Sequence, residues 1–371
     1  MADLRIGILT QKERWQLLMD APVFVDTEPY LQPLYEPIEP GEYLLIDAGV
    51  LPTKELVQKI SELSAGEGFR DENGLVAFRT SISNATEIKK LQHYNGSNLQ
   101  DISAVKRLSS PQQIFLWNDE MIRFDFELLT QHKTSEPLHE TVQAINPSNI
   151  FLELGASVSH CIINASAGPV YIGKNATVME GCLIRGPFAL CEGAVLKMGA
   201  KVYGATTIGP FSNACGEIKN SVVSGYSNKA HDGYLGDSVI GEWCNLGAGT
   251  TNSNVKNTGS EVGLYNYSSG RYEAAGNKCG VIMGDYSRTA INTSINTGTV
   301  VGLCCNVFGR GLTPKFIPDF SWGFDEWKTY DFAKAIQDIG NWKRMKNTVM
   351  NENEIAVLKY LFEKFFPANE I

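Results

Sequence analysis

Apolar side chains recur at every sixth position through the middle of this chain. Ile172, Val178, Ile184, Leu190, Leu196, Val202, Ile208 and Ala214 form an unbroken series of eight. The phase slips by two residues and resumes at Val222, Asn228, Tyr234, Ile240 and Leu246, then again after an insertion at Met283, Thr289, Ile295, Val301 and Val307. Glycine follows the periodic residue at 173, 209, 241, 247, 284 and 302. Neither the period of an α-helix nor the alternation of an ordinary strand produces a step of six; a parallel β-helix of hexapeptide repeats does. In such a solenoid three short strands meet at three corners and a coil takes about 18 residues. Each coil buries its apolar residues only by stacking on its neighbours, and small residues are needed where the chain turns sharply. An irregular β-sandwich would not hold phase across eight hexads.

Residues 1–135 have another texture. Short apolar runs ("LRIGIL", "YLLIDAGVL", "LVAFR") mix with helical stretches such as "TKELVQKISEL", as in a small α/β domain. "SEPLHETVQAINPSN" reads as a linker. Residues 251–281 break the lattice and are expected to project as a loop whose "NYSSGRYEAAGNK" is placed to cover a ligand. After Gly311 the pattern ends. "DFAKAIQDIGNWKRM" and "EIAVLKYLFEKFF" have helical spacing, with Leu358, Leu361, Phe362 and Phe365 on one side, and are expected to pack on the solenoid's end or on a neighbouring chain. The expected domains are 1–140 (α/β), 148–311 (β-helix) and 312–371 (a helical extension).

At 371 residues, 43% hydrophobic and 20% charged, the chain can bury a full core in more than one domain. A net charge of −9 and a pI near 5.2 argue against a nucleic-acid or anionic-membrane surface. An anionic small molecule would need a local basic cluster. No apolar run approaches the roughly 18 residues that span a bilayer, and "MADLRIGILTQKERW" has no charged-then-apolar signal pattern, so the expected compartment is the cytoplasm. Cys161, Cys182, Cys191, Cys215, Cys244, Cys279, Cys304 and Cys305 contain no CxxC pair or zinc-like spacing. They read as reduced, small, mostly buried residues, and no metal site is predicted.

On an 18-residue coil, residues 18 apart lie one above the other, and Lys201 and Lys219 are so spaced. Two readings stand open: a two-lysine column for a phosphate or diphosphate, or two solvated surface lysines. His231, one of five histidines, lies twelve residues beyond Lys219 among glycines and small polar residues. An imidazole can take a proton near neutral pH, although a lone histidine is more often structural. His160 lies on the backward extrapolation of the lattice, as a partly buried residue of the first coil; His93, His132 and His139 sit in polar stretches and read as surface positions.

The segment "EIKNSVVSGYSNKAHDGYLGDSVIGEWCNLGAGTTNSN", residues 217–254, resembles without gaps the acetyltransferase domain of the bifunctional N-acetylglucosamine-1-phosphate uridylyltransferase/glucosamine-1-phosphate acetyltransferases, a left-handed β-helix family. Handedness is implied by that resemblance alone, since left-handed connections run against the usual crossover rule. The resemblance implies that His231 is the catalytic base, that Lys219 and Tyr234 contact a sugar phosphate, that Asn245 and Asn254 are further substrate contacts, and that Ala248 lies on the acetyl-CoA path. Lys201, at a position where the family has arginine, would share in phosphate binding, and Val255 stands in place of a tyrosine. The implied step is proton removal from an amino group by His231 and attack on the thioester of acetyl-CoA, with N–H groups near the Gly247-Ala248-Gly249 turn holding the oxyanion. The implied assembly is a homotrimer with sites between solenoids.

"GNKCGVIMGDYSRTAINTSINTGTVVG" is more similar to archaeal and Bacteroidetes-type sugar-1-phosphate nucleotidylyl/acetyl transferases. "ADLRIGILTQKERW", "LLIDAGVLPT" and "IFLWNDEMIRFDFELLT" resemble the nucleotidyltransferase domain of that group. The resemblance begins inside that domain, "MADLRIGILT" reading as its second strand, and there is no GxGxxG or GxxxxGK substitute for a phosphate loop. Little UTP-dependent activation of a sugar 1-phosphate is therefore expected from this chain, and Mg2+ is implied only if the domain is active. Asp47 and Asn118 are conceivable polar contacts there. A nucleotidyltransferase using the β-helix for oligomerisation or regulation, and a catalytically dead scaffold, are the alternatives.

Overall fold

A computed structural model describes residues 1–83, 88, 96 and 98–366; His93 lies outside them. Contacts divide the chain into two compact units, Met1–Leu4, Leu9–Ser110 and Glu352–Tyr360 in one, Arg5–Ile8, Pro111–Asn351 and Leu361–Ile371 in the other. The division falls at 110, where the sequence suggested 140.

The first unit is built on a four-stranded sheet in the order Gly41–Ile46, Gly74–Ile82, Gly68–Asp71, Leu99–Asp101. Trp15 from the helix Gln11–Met19 and Leu56 and Ile60 from the helix Lys54–Ser61 pack with Val50, Phe69 and Val76. Thr10 starts the first helix with a capping box: its hydroxyl accepts the Glu13 N–H at 3.2 Å while the Glu13 carboxylate accepts the Thr10 N–H at 2.7 Å. Asp47 is a partner of Arg107, whose guanidinium also reaches Asp71 at 3.0 Å.

The second unit is a parallel β-solenoid with three faces. Among the described residues the first face stacks six strands, from Gln143–Ile145 to Tyr234–Gly236, and the pair Thr251–Asn252 and Ser294–Ile295 lies in the coils beyond. The second face stacks nine, from Ile150–Leu152 to Phe316–Ile317, and the third stacks ten, from Ser157–Val158 to Lys328–Thr329. Every member of the eight-residue series points inward, from Ile172 to Ala214, none more than 3% exposed. In the next coil the phase differs from the sequence reading. Lys229 and Leu235 are buried where Asn228 and Tyr234 were expected, because two steps shrink, Ala214 to Ile218 and Ile218 to Val223.

The solenoid also outruns its expected limits. It begins at Gln143, and past Gly311 the strands Phe316–Ile317 and Ser321–Trp322 continue the parallel stacks. Thr251 and Asn252 stay in the lattice, with Asn252 5% exposed at an inward position, so the insertion starts after them and carries the hairpin Gly263–Asn266/Arg271–Ala274. "LRIGIL" is not a strand. Ile6 and Ile8 are buried, but Gly7 turns the chain with φ +77, and side chains take over the work of a ladder. Asn118 accepts the Gly7 N–H at 2.7 Å and donates to the Ala205 carbonyl at 2.9 Å, Asp125 accepts the Ile8 N–H at 2.8 Å, and the Thr207 hydroxyl donates to the Gly7 carbonyl at 2.8 Å. Asn118 is thus a buried structural clamp, not a ligand contact.

The C-terminal helices lie over Phe332–Met345 and Glu352–Phe365, matching the helical spacing of the sequence. All eight cysteines are buried thiols outside any disulfide. No helix among the described residues is long and apolar enough to cross a membrane.

Ile208 is fully buried between Leu190 below and Val223 above. Ile208→Ala should lower stability by about 2–5 kcal/mol, read as a fall in the urea midpoint; an unchanged midpoint would mean the coils do not share one core.

Candidate active site

The corner that leads from the third face onto the first, between Asn228–Lys229 and Tyr234–Gly236, carries His231. Its ring is exposed and has no hydrogen-bond partner among the described residues. One coil on, Gly247–Thr250 forms the equivalent corner, and the Asp232 carbonyl accepts the Gly249 N–H at 3.2 Å, so Ala248 stands over His231. Of the three N–H groups expected for an oxyanion, two are committed. Gly247 donates to the Thr289 carbonyl and hydroxyl at 3.2 and 3.0 Å, and Gly249 to Asp232. The N–H of Ala248 has no acceptor among the described residues, which makes it the available donor at this corner.

The adjoining first face holds a polar cluster centred on Asp237, 4% exposed at φ 48, a left-handed turn that aspartate tolerates. Its carboxylate accepts the Asn220 amide at 2.7 Å and the Asn254 amide at 2.5 Å, and Asn254 also reaches the Tyr234 hydroxyl at 3.1 Å. Burial, then Asp237 and Glu217, push the Tyr234 hydroxyl above its usual range. The Tyr234 ring lies across Gly236, where a Cβ would stand 2.2 Å from the hydroxyl and push the ring aside. Lys219 pairs in register with Gly236. Lys219, Tyr234 and Asn254 are therefore brought into one patch, and Asp237, absent from the sequence candidates, organises it. Its signal was the aspartate of "YLGD" closing a strand onto a turn.

The two lysines do not form the expected column. Lys201 pairs with Glu217, and Tyr203 with Lys219, so the lysines share a face but stand two positions apart along it. The cause is the corner Cys215–Gly216, two residues where the corners before and after it have four. Tyr203 donates to Glu217 at 2.6 Å, and that bond holds its hydroxyl up at about 12. Asn245 lies on the third face, half-buried between Asn228 and Arg288, away from the Tyr234 patch within one chain. His160 is exposed, as are His132 and His139. Among the described residues no group of three His, Cys, Asp or Glu could hold a metal ion.

Lys229 is the other residue the sequence reading passed over. It is 1% exposed on the inward side of the third face, and its ammonium donates to the carbonyls of His231 at 2.5 Å and Asp232 at 3.2 Å. Burial lowers its pKa to about 8, against the opposing pull of Cys215 and Asp232.

The hexapeptide-repeat solenoid thus carries a histidine at one corner, an N–H without an acceptor among the described residues one coil above it, and a polar cluster beside it. Residues 1–134 match the sugar nucleotidyl transferase family. A bifunctional GlmU protein of Methanocaldococcus jannaschii is 39% identical over 89 residues, 24% of this chain and 21% of its own. The Synechococcus elongatus bifunctional GlmU protein is 25% identical over 252 residues, 60% of this chain and 50% of its own. A bifunctional sugar-1-phosphate nucleotidylyltransferase/acetyltransferase of Sulfurisphaera tokodaii is 36% identical over 92 residues, 25% of this chain and 23% of its own. The chain thus spans half or less of these curated relatives. The N-terminal segment is similar to sugar nucleotidyl transferases, and parts of the chain are similar to bifunctional sugar nucleotidyltransferase/acetyltransferase proteins.

Asp237→Ala removes an acceptor shared by two half-buried amides. It should cost about 1.5–3 kcal/mol, the scale for hydrogen bonds to a charged group, measured as a lower urea midpoint; an unchanged midpoint would show that the amides rebond without it.

Proposed function

We propose that this chain is an acetyl-CoA-dependent N-acetyltransferase acting on an amino-sugar 1-phosphate of the glucosamine 1-phosphate type. The observation that carries the reading is the exposed His231 with the uncommitted N–H of Ala248 one coil above it. His231 takes the proton from the substrate amine, the amine attacks the thioester carbon, and the Ala248 N–H faces the developing oxyanion. Collapse releases coenzyme A as its thiol. Lys219, Tyr234 and Asn254 hold the sugar phosphate beside this corner, Lys201 adding a more distant positive charge. Asn245, on the third face, would contribute from a neighbouring chain; this supports a homotrimer with its sites between solenoids. One solenoid face alone is too shallow to enclose coenzyme A.

A second reading, sugar-1-phosphate nucleotidyl transfer with the solenoid as an assembly device, is favoured by the match over residues 1–134. Pyrophosphate exchange with UTP and sugar 1-phosphates tests it.

Thiol release from acetyl-CoA with glucosamine 1-phosphate should fall about 10²-fold or more in His231→Ala while the fold persists. Near-normal turnover by that variant refutes the assignment. Light scattering should give three times the chain mass, and a fully active monomer would refute the shared site.

A further inference from the structure

The inward positions of the third face are occupied by Leu196 and Ala214 before Lys229, and by Leu246 and Thr289 after it. A lysine in this column is the one cation in a stack of uncharged side chains. It fits because Ala214, its partner in register, leaves room for a long stem. Its ammonium does not stay in the apolar interior; it reaches the corner and binds the carbonyls of His231 and Asp232.

The corners along this edge close in different ways. Lys197–Ala200 closes itself with the Ala200 N–H on the Lys197 carbonyl at 3.3 Å, and Gly247–Thr250 does the same at 3.0 Å. The His231 corner makes no such bond among the described residues, nor do Met179–Cys182 and Ala290–Thr293; what sets it apart is φ +123 at Gly233 and an ammonium bound to two of its carbonyls from within. The coil beneath, whose own corner Cys215–Gly216 has two residues, binds the ends of this corner, the Cys215 N–H donating to the Lys229 carbonyl at 2.7 Å and the Glu217 N–H to the Gly233 carbonyl at 3.2 Å, and leaves the His231 carbonyl to Lys229. We propose that Lys229 is a positioning residue that ties the catalytic corner from inside the solenoid, binding two of its carbonyls and fixing the backbone from which His231 projects. The inference rests on His231 being the base.

This role separates position from stability. The ammonium sits in a site that lowers its pKa to about 8 from 10.5, with Cys215 and Asp232 the titratable groups facing it. A lysine whose folded pKa is depressed disfavours the fold while protonated, and the penalty eases as pH rises from about 8 towards 10.5. An apolar side chain of similar length should therefore hold or raise stability at neutral pH while losing the corner.

The test compares Lys229→Met with wild type at pH 7. Expected are a kcat for acetyl transfer lowered about 10-fold or more, a KM within about twofold, and a thermal midpoint equal to or above wild type. Lys229→Gln, which keeps N–H donors without the charge, should recover part of the lost kcat. An unchanged kcat, or a thermal midpoint that falls in step with activity, overturns the proposal; if the methionine variant does not fold, the glutamine variant is judged by the same two criteria. Amide hydrogen exchange over residues 230–236 needs no substrate. It should quicken about tenfold in Lys229→Met and stay unchanged in distant coils. Unchanged exchange at the corner overturns the inference, whereas quickened exchange in a protein whose wild type transfers no acetyl group means that the acetyltransferase reading has failed and the corner assignment stands.

Discussion

A coil of the solenoid can bury its inward side chains only against the coils before and after it, so each strand must lie in register on the last. That constraint fixes the strands and leaves the corners as the places where chain length can vary. Leu183 pairs with Lys201 across a full coil, whereas Lys201 pairs with Glu217 after a shorter one. The difference is absorbed at Cys215–Gly216, and its consequences appear on both sides: the two lysines fall out of column, and the next corner, which bears His231, spans a longer path than the one beneath it.

Polar burial follows the same economy. Arg5–Ile8 cannot join a ladder, so Asn118, Asp125 and Thr207 bind its backbone groups. On the corner between the second and third faces, Phe211, Tyr226 and Trp243 stack with ring centroids 5.1 and 4.3 Å apart. The helix Phe332–Met345 places the ammonium of Lys343 5.1 Å from the Trp243 centroid, and its Trp342 covers the Arg288 guanidinium at 5.5 Å. Rings of this kind lessen the cost of burying cations that lack a full set of acceptors; Nε and Nη2 of Arg288 have none.

Much of this was legible because burial in a solenoid is periodic. The eight-residue series from Ile172 and the five residues from Met283 to Val307 are all inward. The reading failed at the coil of Lys229 for a physical reason: a search for apolar residues at a fixed step cannot follow a chain that shortens two steps and then places a lysine at the inward position. The five-residue steps from Ile218 to Val223 and from Leu235 to Ile240 were the available signal. The end of the solenoid was missed for a related reason, since Phe316–Ile317 and Ser321–Trp322 are reached through proline-containing links that disturb the period. His231, Tyr234 and Asn254 were singled out by resemblance; periodicity passes over His231 and Asn254 and places Tyr234 inward, where the structure has Leu235.

A core lysine contradicts the pattern that specifies the rest of the fold, and such contradictions concentrate where a protein needs geometry more than stability. The alternatives available to this coil sharpen the point. Two more residues at Cys215–Gly216 would restore the regular corner below, and a turn bond like that of Gly247–Thr250 would close the corner above. Either change would move the chain at His231 relative to Tyr234, which is held by Asn254 and seated on Gly236. The short corner draws the chain inward, Ala214 opens space behind it, and Lys229 spans that space to bind the two carbonyls next to the imidazole. On the proposed function, the distance between base and sugar site would be set from the interior of the solenoid, by a side chain that a substrate outside it does not reach.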